Sequence, residues 1–133
     1  MAHPPEASPI AFLSDLHGNL LALDVVLSEL ERLEVKRVYV AGDLLLGGDD
    51  PLGVWQRLQA IGAICTRGPS DMALASVDPS SLLPVDDEQR RRARQFAQTR
   101  AAIGDLVAER LRRLPEQQRI PLLDGREVLM VHG

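Results

Sequence analysis

The sequence predicts an α/β fold built on a mostly parallel sheet. Three observations carry this expectation. Short apolar runs alternate with stretches whose apolar residues recur at helical spacing, the strand-then-helix unit appearing twice before a third strand. Each apolar run empties into a polar loop, rich in Gly and Asp. The helical stretches between the strands are long enough to act as crossovers, which parallel strands require. A chain of 133 residues, 45% hydrophobic and 26% charged with no low-complexity run, suits one packed domain.

Taken in order, Met1 to Pro9 carry three prolines and read as a flexible leader, because proline removes backbone donors and opposes helix. The domain is expected over residues 10–133. Ile10-Ala-Phe-Leu13 is a strand pattern that ends in Ser14-Asp-Leu-His-Gly-Asn19. Leu20, Leu23, Leu27 and Leu30 then mark a helix with Asn19 as its N-cap. Arg37-Val-Tyr-Val-Ala41 is the second strand, residues 42–50 a second loop, and Pro51 the first position of a helix carrying Val54, Leu58 and Ile61 and closed by Gly62. The run 63–66 is a third strand, leading into a loop over residues 67–71. Residues 77–84 are turn-rich. From about Asp86 a long helical pattern carries Phe96, Ile103, Val107 and Leu111, with Gly104 placed to divide it. Residues 120–123 and 127–131 form a hairpin through Asp124-Gly125, a strong two-residue turn signal.

Charge and composition exclude several classes. The net charge of −4 argues against nucleic acid as the main partner, since such binding rests on clustered Lys and Arg at phosphates. Residues 86–113 hold eight Arg against five acidic side chains, a net +3 that leaves −7 elsewhere. No aromatic residues interleave with Arg90-Arg-Arg-Ala-Arg94 to stack bases, so that cluster reads as a solvated helix face. No apolar stretch approaches the ~20 residues a bilayer demands, so no membrane partner is expected. The single Cys65 sits in an apolar run and reads as a small buried thiol, which suits a reducing cytoplasm.

The three strand-end loops hold Asp15 and His17, then Asp43, then Asp71, and His132 ends a further strand. Parallel pairing brings such loops together at one sheet edge. Singly, each residue has an ordinary alternative: Asp15 could cap an element, Asp43 could fix a turn, and His132 could be a terminal surface residue. Jointly, carboxylates and imidazoles in one cleft suit Mn²⁺, Fe or Zn²⁺, whereas oxygen ligands alone favour Mg²⁺ or Ca²⁺.

Ser14-Asp-Leu-His-Gly-Asn19, Ala41-Gly-Asp43 followed by Gly47 and Asp50-Pro51, Thr66-Arg-Gly68, and Leu129-Met-Val-His-Gly133 resemble successive motifs of the calcineurin-like metallophosphoesterases, closest to the small bacterial phosphodiesterase-type members. The likeness runs from about Ile10 to Gly133. It implies the N-terminal part of an α/β/β/α sandwich and hydrolysis of phosphomonoesters or phosphodiesters, with a phosphate-ester small molecule as partner. It also implies two divalent cations, Asp15 and His17 serving the first, Asp43 bridging both and His132 serving the second. Asn19 and Arg67 are implied as phosphate-facing groups and Asp71 as a catalytic one.

Two departures from the family pattern qualify that expectation. The family's third motif, Gly-Asn-His-Asp or Gly-Asn-His-Glu, reads here Gly68-Pro-Ser-Asp71. Pro69 has no side-chain donor atom where an Asn amide oxygen would bind metal, and Ser70 stands where a His would act near the phosphate. Asp71 is then left without the His it would orient. The family's later Gly-His-x-His motif has no counterpart before Gly133, so the C-terminal part of the family fold is expected to be absent. A sheet face left uncovered would favour a homo-oligomer. The alternative to a phosphoesterase is therefore a non-catalytic binding module, or a remnant, on the same fold.

Overall fold

The computed structural model describes residues 8–133, and most of the proline-rich leader lies outside the described residues. Three parallel strands, β1 (Ile10–Leu13), β2 (Arg37–Ala41) and β3 (Ile64–Thr66), lie in the order β1-β2-β3. Ile10 stands opposite Arg37 and Tyr39 opposite Ile64. Two helices make the crossovers. The first, α1 (Leu20–Arg32), is capped by Asn19, whose Oδ1 accepts from Ala22 N at 3.0 Å. The second, α2 (Pro51–Ala60), is capped by Asp50 with proline at its first position. Both caps follow from side-chain oxygens that satisfy otherwise unpaired first-turn amides.

Past β3 the chain departs from the expected loop. Gly68 opens a helix, α3 (Pro69–Ser76), with Asp71 in its first turn. Proline costs nothing at the first helical position and an acidic residue there favours the helix N-terminus, so residues 69–71 are helical after all. A short 3₁₀ turn (Pro79–Ser81) leads to α4 (Asp87–Arg113), which is interrupted at Gly104 (φ 77°, ψ 175°). The arginines from Arg90 to Arg94 are solvent-exposed, Arg90 pairing with Asp87 and Arg92 with Glu88.

The hairpin pairs β4 (Gln117–Pro121) with β5 (Glu127–Val131). Leu122 N still donates to the Arg126 carbonyl (2.8 Å), so the connection is the three residues Leu123-Asp124-Gly125 and not a two-residue turn. A positive φ of 86° at Gly125 is what such a three-residue loop needs.

Strand alternation divides the sheet's contacts. Leu13, Val38, Val40 and Cys65 face the helices, packing with Leu23, Val54, Leu58, Phe96, Val107 and Leu111. Tyr39, Ala41, Ile64 and Ile10 face the hairpin, packing with Ile120, Met130 and Val128. The result is a layer of helices, a parallel sheet, and the hairpin against the sheet's other face. Burial pushes the Cys65 thiol up to about 12, so it is an inert core side chain. No helix among the described residues is long and apolar enough to cross a membrane.

Candidate metal centre

Asp15 and His17 follow β1 and Asp43 follows β2, all leaving the sheet at its carboxyl edge. All three have left-handed backbones, with φ of 58°, 48° and 55°. Non-glycine residues rarely adopt that region, and such strain persists only where surrounding bonds impose it. Here the two loops continue the parallel ladder beyond the strands. Asp15 N donates to Gly42 O (3.1 Å), His17 N to Asp43 O (3.1 Å) and Gly18 N to Leu44 O (2.9 Å).

This backbone brings side chains into register for chemistry. The donor atoms of Asp15, His17 and Asp43 all lie within 4.8 Å of one another. His17 Nδ1 is 2.9 Å from the Leu46 carbonyl oxygen, which assigns the proton to Nδ1 and turns the Nε2 lone pair toward Asp15 Oδ1, 3.4 Å away. His132 repeats the arrangement, with Nδ1 2.7 Å from the Ala41 carbonyl and Nε2 3.4 Å from Asp43 Oδ2. Imidazoles fixed through one nitrogen by a backbone carbonyl and free at the other are the usual form of metal-binding histidine. Two carboxylates and two such imidazoles fit a divalent cation of intermediate softness.

His132 reaches this edge from the hairpin and not from the parallel sheet. Gly42 makes room for it: at φ 82° a side chain is disfavoured, and a Cβ would lie 2.7 Å from Gly68 N and 3.0 Å from His132 Nδ1. Gly68 approaches even more closely, since a Cβ there would sit 2.3 Å from Asp43 Oδ1.

Charge follows this geometry. The Ser14 hydroxyl donates to Asp15 Oδ2 (2.5 Å) and, outweighing the opposing effect of burial, holds that carboxyl below its ordinary range, with His132 and His17 adding to the effect. His132 is raised above the ordinary imidazole value, first by its bond to the Ala41 carbonyl and then by the charges of Asp43 and Asp15.

The structure turns Asp71 inward. It is wholly buried, with Oδ2 accepting from the amides of Asp43 and Gly68 (both 2.8 Å) and Oδ1 from the amide of Leu44 (2.9 Å). Burial pushes its carboxyl up, and those three amides oppose the shift. It thus clamps the Asp43 loop to the start of α3. Arg67 is likewise engaged, donating to the Arg112 carbonyl (2.8 Å) and Glu116 (2.9 Å), while bordering the same cleft as His132. Asn19 caps α1 and borders a shallow cleft beside Asp15.

The sequence places Ser70 where the family's His would act, but does not show its bond to Asp43. Its hydroxyl donates to Asp43 Oδ1 at 2.7 Å and its amide to the same oxygen at 3.1 Å. Pro69 at the helix start hinted at a helical turn there, but nothing in the sequence indicated which way the Ser70 hydroxyl would point. Gln95 was also missed, although its Nε2 donates to the Gly47 carbonyl (2.9 Å) and ties α4 to the loop after β2.

Comparison with known proteins agrees with this geometry. The family model for calcineurin-like phosphoesterases matches residues 8–133. A hypothetical protein from Pyrococcus horikoshii OT3 shares the fold with a TM-score of 0.74 at 21% identity, over 90% of this chain and 52% of that one. A metallophosphoesterase from Sphaerobacter thermophilus aligns with a TM-score of 0.63 at 26% identity, over 82% of this chain and 42% of that one. Yfce, a phosphoesterase from E. coli, aligns at 0.54 and 21% identity, over 93% and 57%. The chain therefore spans about half the length of these solved structures. No curated protein matches the sequence. With ordered motifs, converging side chains and a family match over almost its whole length, the chain belongs to the calcineurin-like phosphoesterase family.

Proposed function

We propose that the chain is a divalent-metal phosphoesterase that hydrolyses phosphomonoester or phosphodiester bonds with a metal-activated water. The observation that carries this reading is the convergence of Asp15, His17, Asp43 and His132, with both imidazoles fixed through Nδ1 and open at Nε2. Asp15 and His17 would hold one cation, His132 a second, and Asp43 would bridge them. Manganese, iron or zinc suits this mixed oxygen and nitrogen set. Cations held there would supply Lewis acidity, activating a water and offsetting the charge of the phosphate oxygens.

The chain's own residues set up that chemistry. Ser14 keeps Asp15 ionised, Ser70 fixes the Asp43 carboxylate where Gly68 leaves it room, and the buried Asp71 positions the Asp43 backbone through its amide. Asp71 is accordingly a positioning residue in this reading, while Asn19 and Arg67 are assigned to the edges where a phosphate ester would enter. A single buried cysteine supports a cytoplasmic setting.

Ser70 also supports a second reading. Its hydroxyl occupies Asp43 Oδ1, and with Pro69 beside it the third motif contributes no metal-binding side chain. On that basis the chain would hold one cation and act as a non-catalytic binding module.

Manganese-dependent hydrolysis of bis(p-nitrophenyl) phosphate and p-nitrophenyl phosphate separates the two readings, with Asp43→Asn as control and Pro69→Asn/Ser70→His as a restored third motif. The expected result is turnover that disappears in Asp43→Asn and rises by about 10²-fold or more in the double variant, the scale of a recovered general acid. Mn²⁺ binding without turnover in either the parent or the restored chain would overturn the enzyme reading in favour of the binding module.

A further inference from the structure

A cleft of about 770 Å³ opens beside the candidate metal centre, and His17 belongs to both. Leu46 comes from the loop after β2, Leu82, Leu83 and Pro84 from the segment before α4, and Ala93 and Phe96 from the first half of α4. That volume lies in the ~300–1,000 Å³ range of small-molecule sites, which are mostly apolar with a few placed polar groups. Two bonds hold its walls in place. Gln95 ties α4 to Gly47, and Gln89 Oε1 accepts from Val85 N at 3.0 Å to fix the 82–85 segment against the same helix. Arg92 stands at the rim, paired with Glu88.

We propose that this cleft binds an apolar organic group, the size of a ring or larger, of the phosphoester whose phosphate occupies the Asp15, His17 and Asp43 centre. The inference rests on the phosphoesterase reading and deepens it by naming the substrate class. His17 is the hinge of the argument: its Nε2 faces the carboxylates, while its ring borders an apolar space with no carboxylate among its lining residues. A phosphate held at the centre would therefore extend its ester group into an apolar environment. A substrate with only a methyl or hydroxyl substituent would leave that space to water.

The test uses the Mn²⁺-loaded chain and two non-hydrolysable ligands, phenylphosphonate and methylphosphonate, titrated by calorimetry so that turnover is not needed. The expected result is phenylphosphonate binding at least ~10-fold tighter, the effect of burying one ring. Ala93→Trp, which puts an indole into the cleft, and Leu83→Asp, at an exposed position that leaves folding unaffected, should each bring that ratio toward one while methylphosphonate affinity stays within about twofold. Equal affinities in the parent chain, or a preference that survives both variants, would overturn the cleft and leave the phosphoesterase reading standing. Failure of both phosphonates to bind while Mn²⁺ binds would overturn that reading and this inference with it.

Discussion

Asp43 and Asp50 lie in one loop, but their carboxylates do different work. Asp43 stands 3.4 Å from His132 and within the cluster formed with Asp15 and His17, whereas Asp50 Oδ1 accepts from Gly53 N (2.8 Å) as the cap of α2. Asp43→Asn should therefore lower Mn²⁺ affinity by tenfold or more in calorimetry, the scale of losing one negative ligand beside a cation. Asp50→Asn should change it little, because asparagine caps helices as well as aspartate. Equal losses would count against the site. His132 supplies a pH prediction. Its folded value lies above the ordinary 6.5 because the Ala41 carbonyl and Asp43 favour the imidazolium. The stability it contributes is therefore complete below about 6.5 and is lost as pH rises through the higher folded value. In chelator, the melting-temperature difference between the parent and His132→Gln should shrink from pH 6 to pH 8, and Mn²⁺ affinity should rise over the same interval as the competing proton leaves. A difference that stays flat with pH would show that the fold does not favour the charged ring.

At the scale of elements, two helix features shape the site. The first turn of α3 delivers Ser70 to Asp43 and Asp71 to the loop amides, so the segment that replaces the family's third motif still organises the Asp43 loop. The interruption of α4 at Gly104 lets its first half border the cleft while its second half packs Val107, Ala108 and Leu111 into the core. With φ 77° and ψ 175°, position 104 is in a region that side chains avoid, and a Cβ there would meet nothing within 4 Å. Gly104→Ala should thus cost about 1–3 kcal/mol from backbone strain alone, read as a lower urea midpoint, with Mn²⁺ affinity unchanged. A variant as stable as the parent would show that the two halves are free to join into one helix.

For the molecule as a whole, the hairpin has one covered face and one open face. Val128 and Met130 pack on the parallel sheet with Ile120, while Leu129 and Val131 alternate outward and are each 49% exposed. Phe12, stacked on Tyr39 at 5.5 Å, is also half exposed at the sheet edge. Apolar surface of this kind favours association. We propose that the 133-residue chain by itself pairs with a second copy through this face. Sedimentation velocity should show a concentration-dependent dimer that Leu129→Lys/Val131→Lys abolishes and Leu106→Lys, on α4, does not. A monomer at every concentration would remove the proposal.

Apart from α3, which lies where a loop over residues 67–71 is expected, the sequence by itself determined the element order, because that information is local. Period-two and period-3.6 apolar patterns, the Asn19 and Asp50 caps, Pro51 and the break at Gly104 each act within a few residues of themselves. It also determined which loops carry the candidate metal-binding side chains, since a parallel sheet must bring the ends of β1 and β2 to one edge. Tertiary structure decided the rest. No local signal states that His132 would arrive from a separate hairpin to meet Asp43, 89 positions away, or that Asp71 would face amides and not the cleft. None states that Ser70 would bond Asp43, or that α4 would wall a cavity beside His17. Those outcomes depend on how layers pack, and packing is fixed by long-range burial and by pairing every buried donor and acceptor, which a single sequence read in order does not contain.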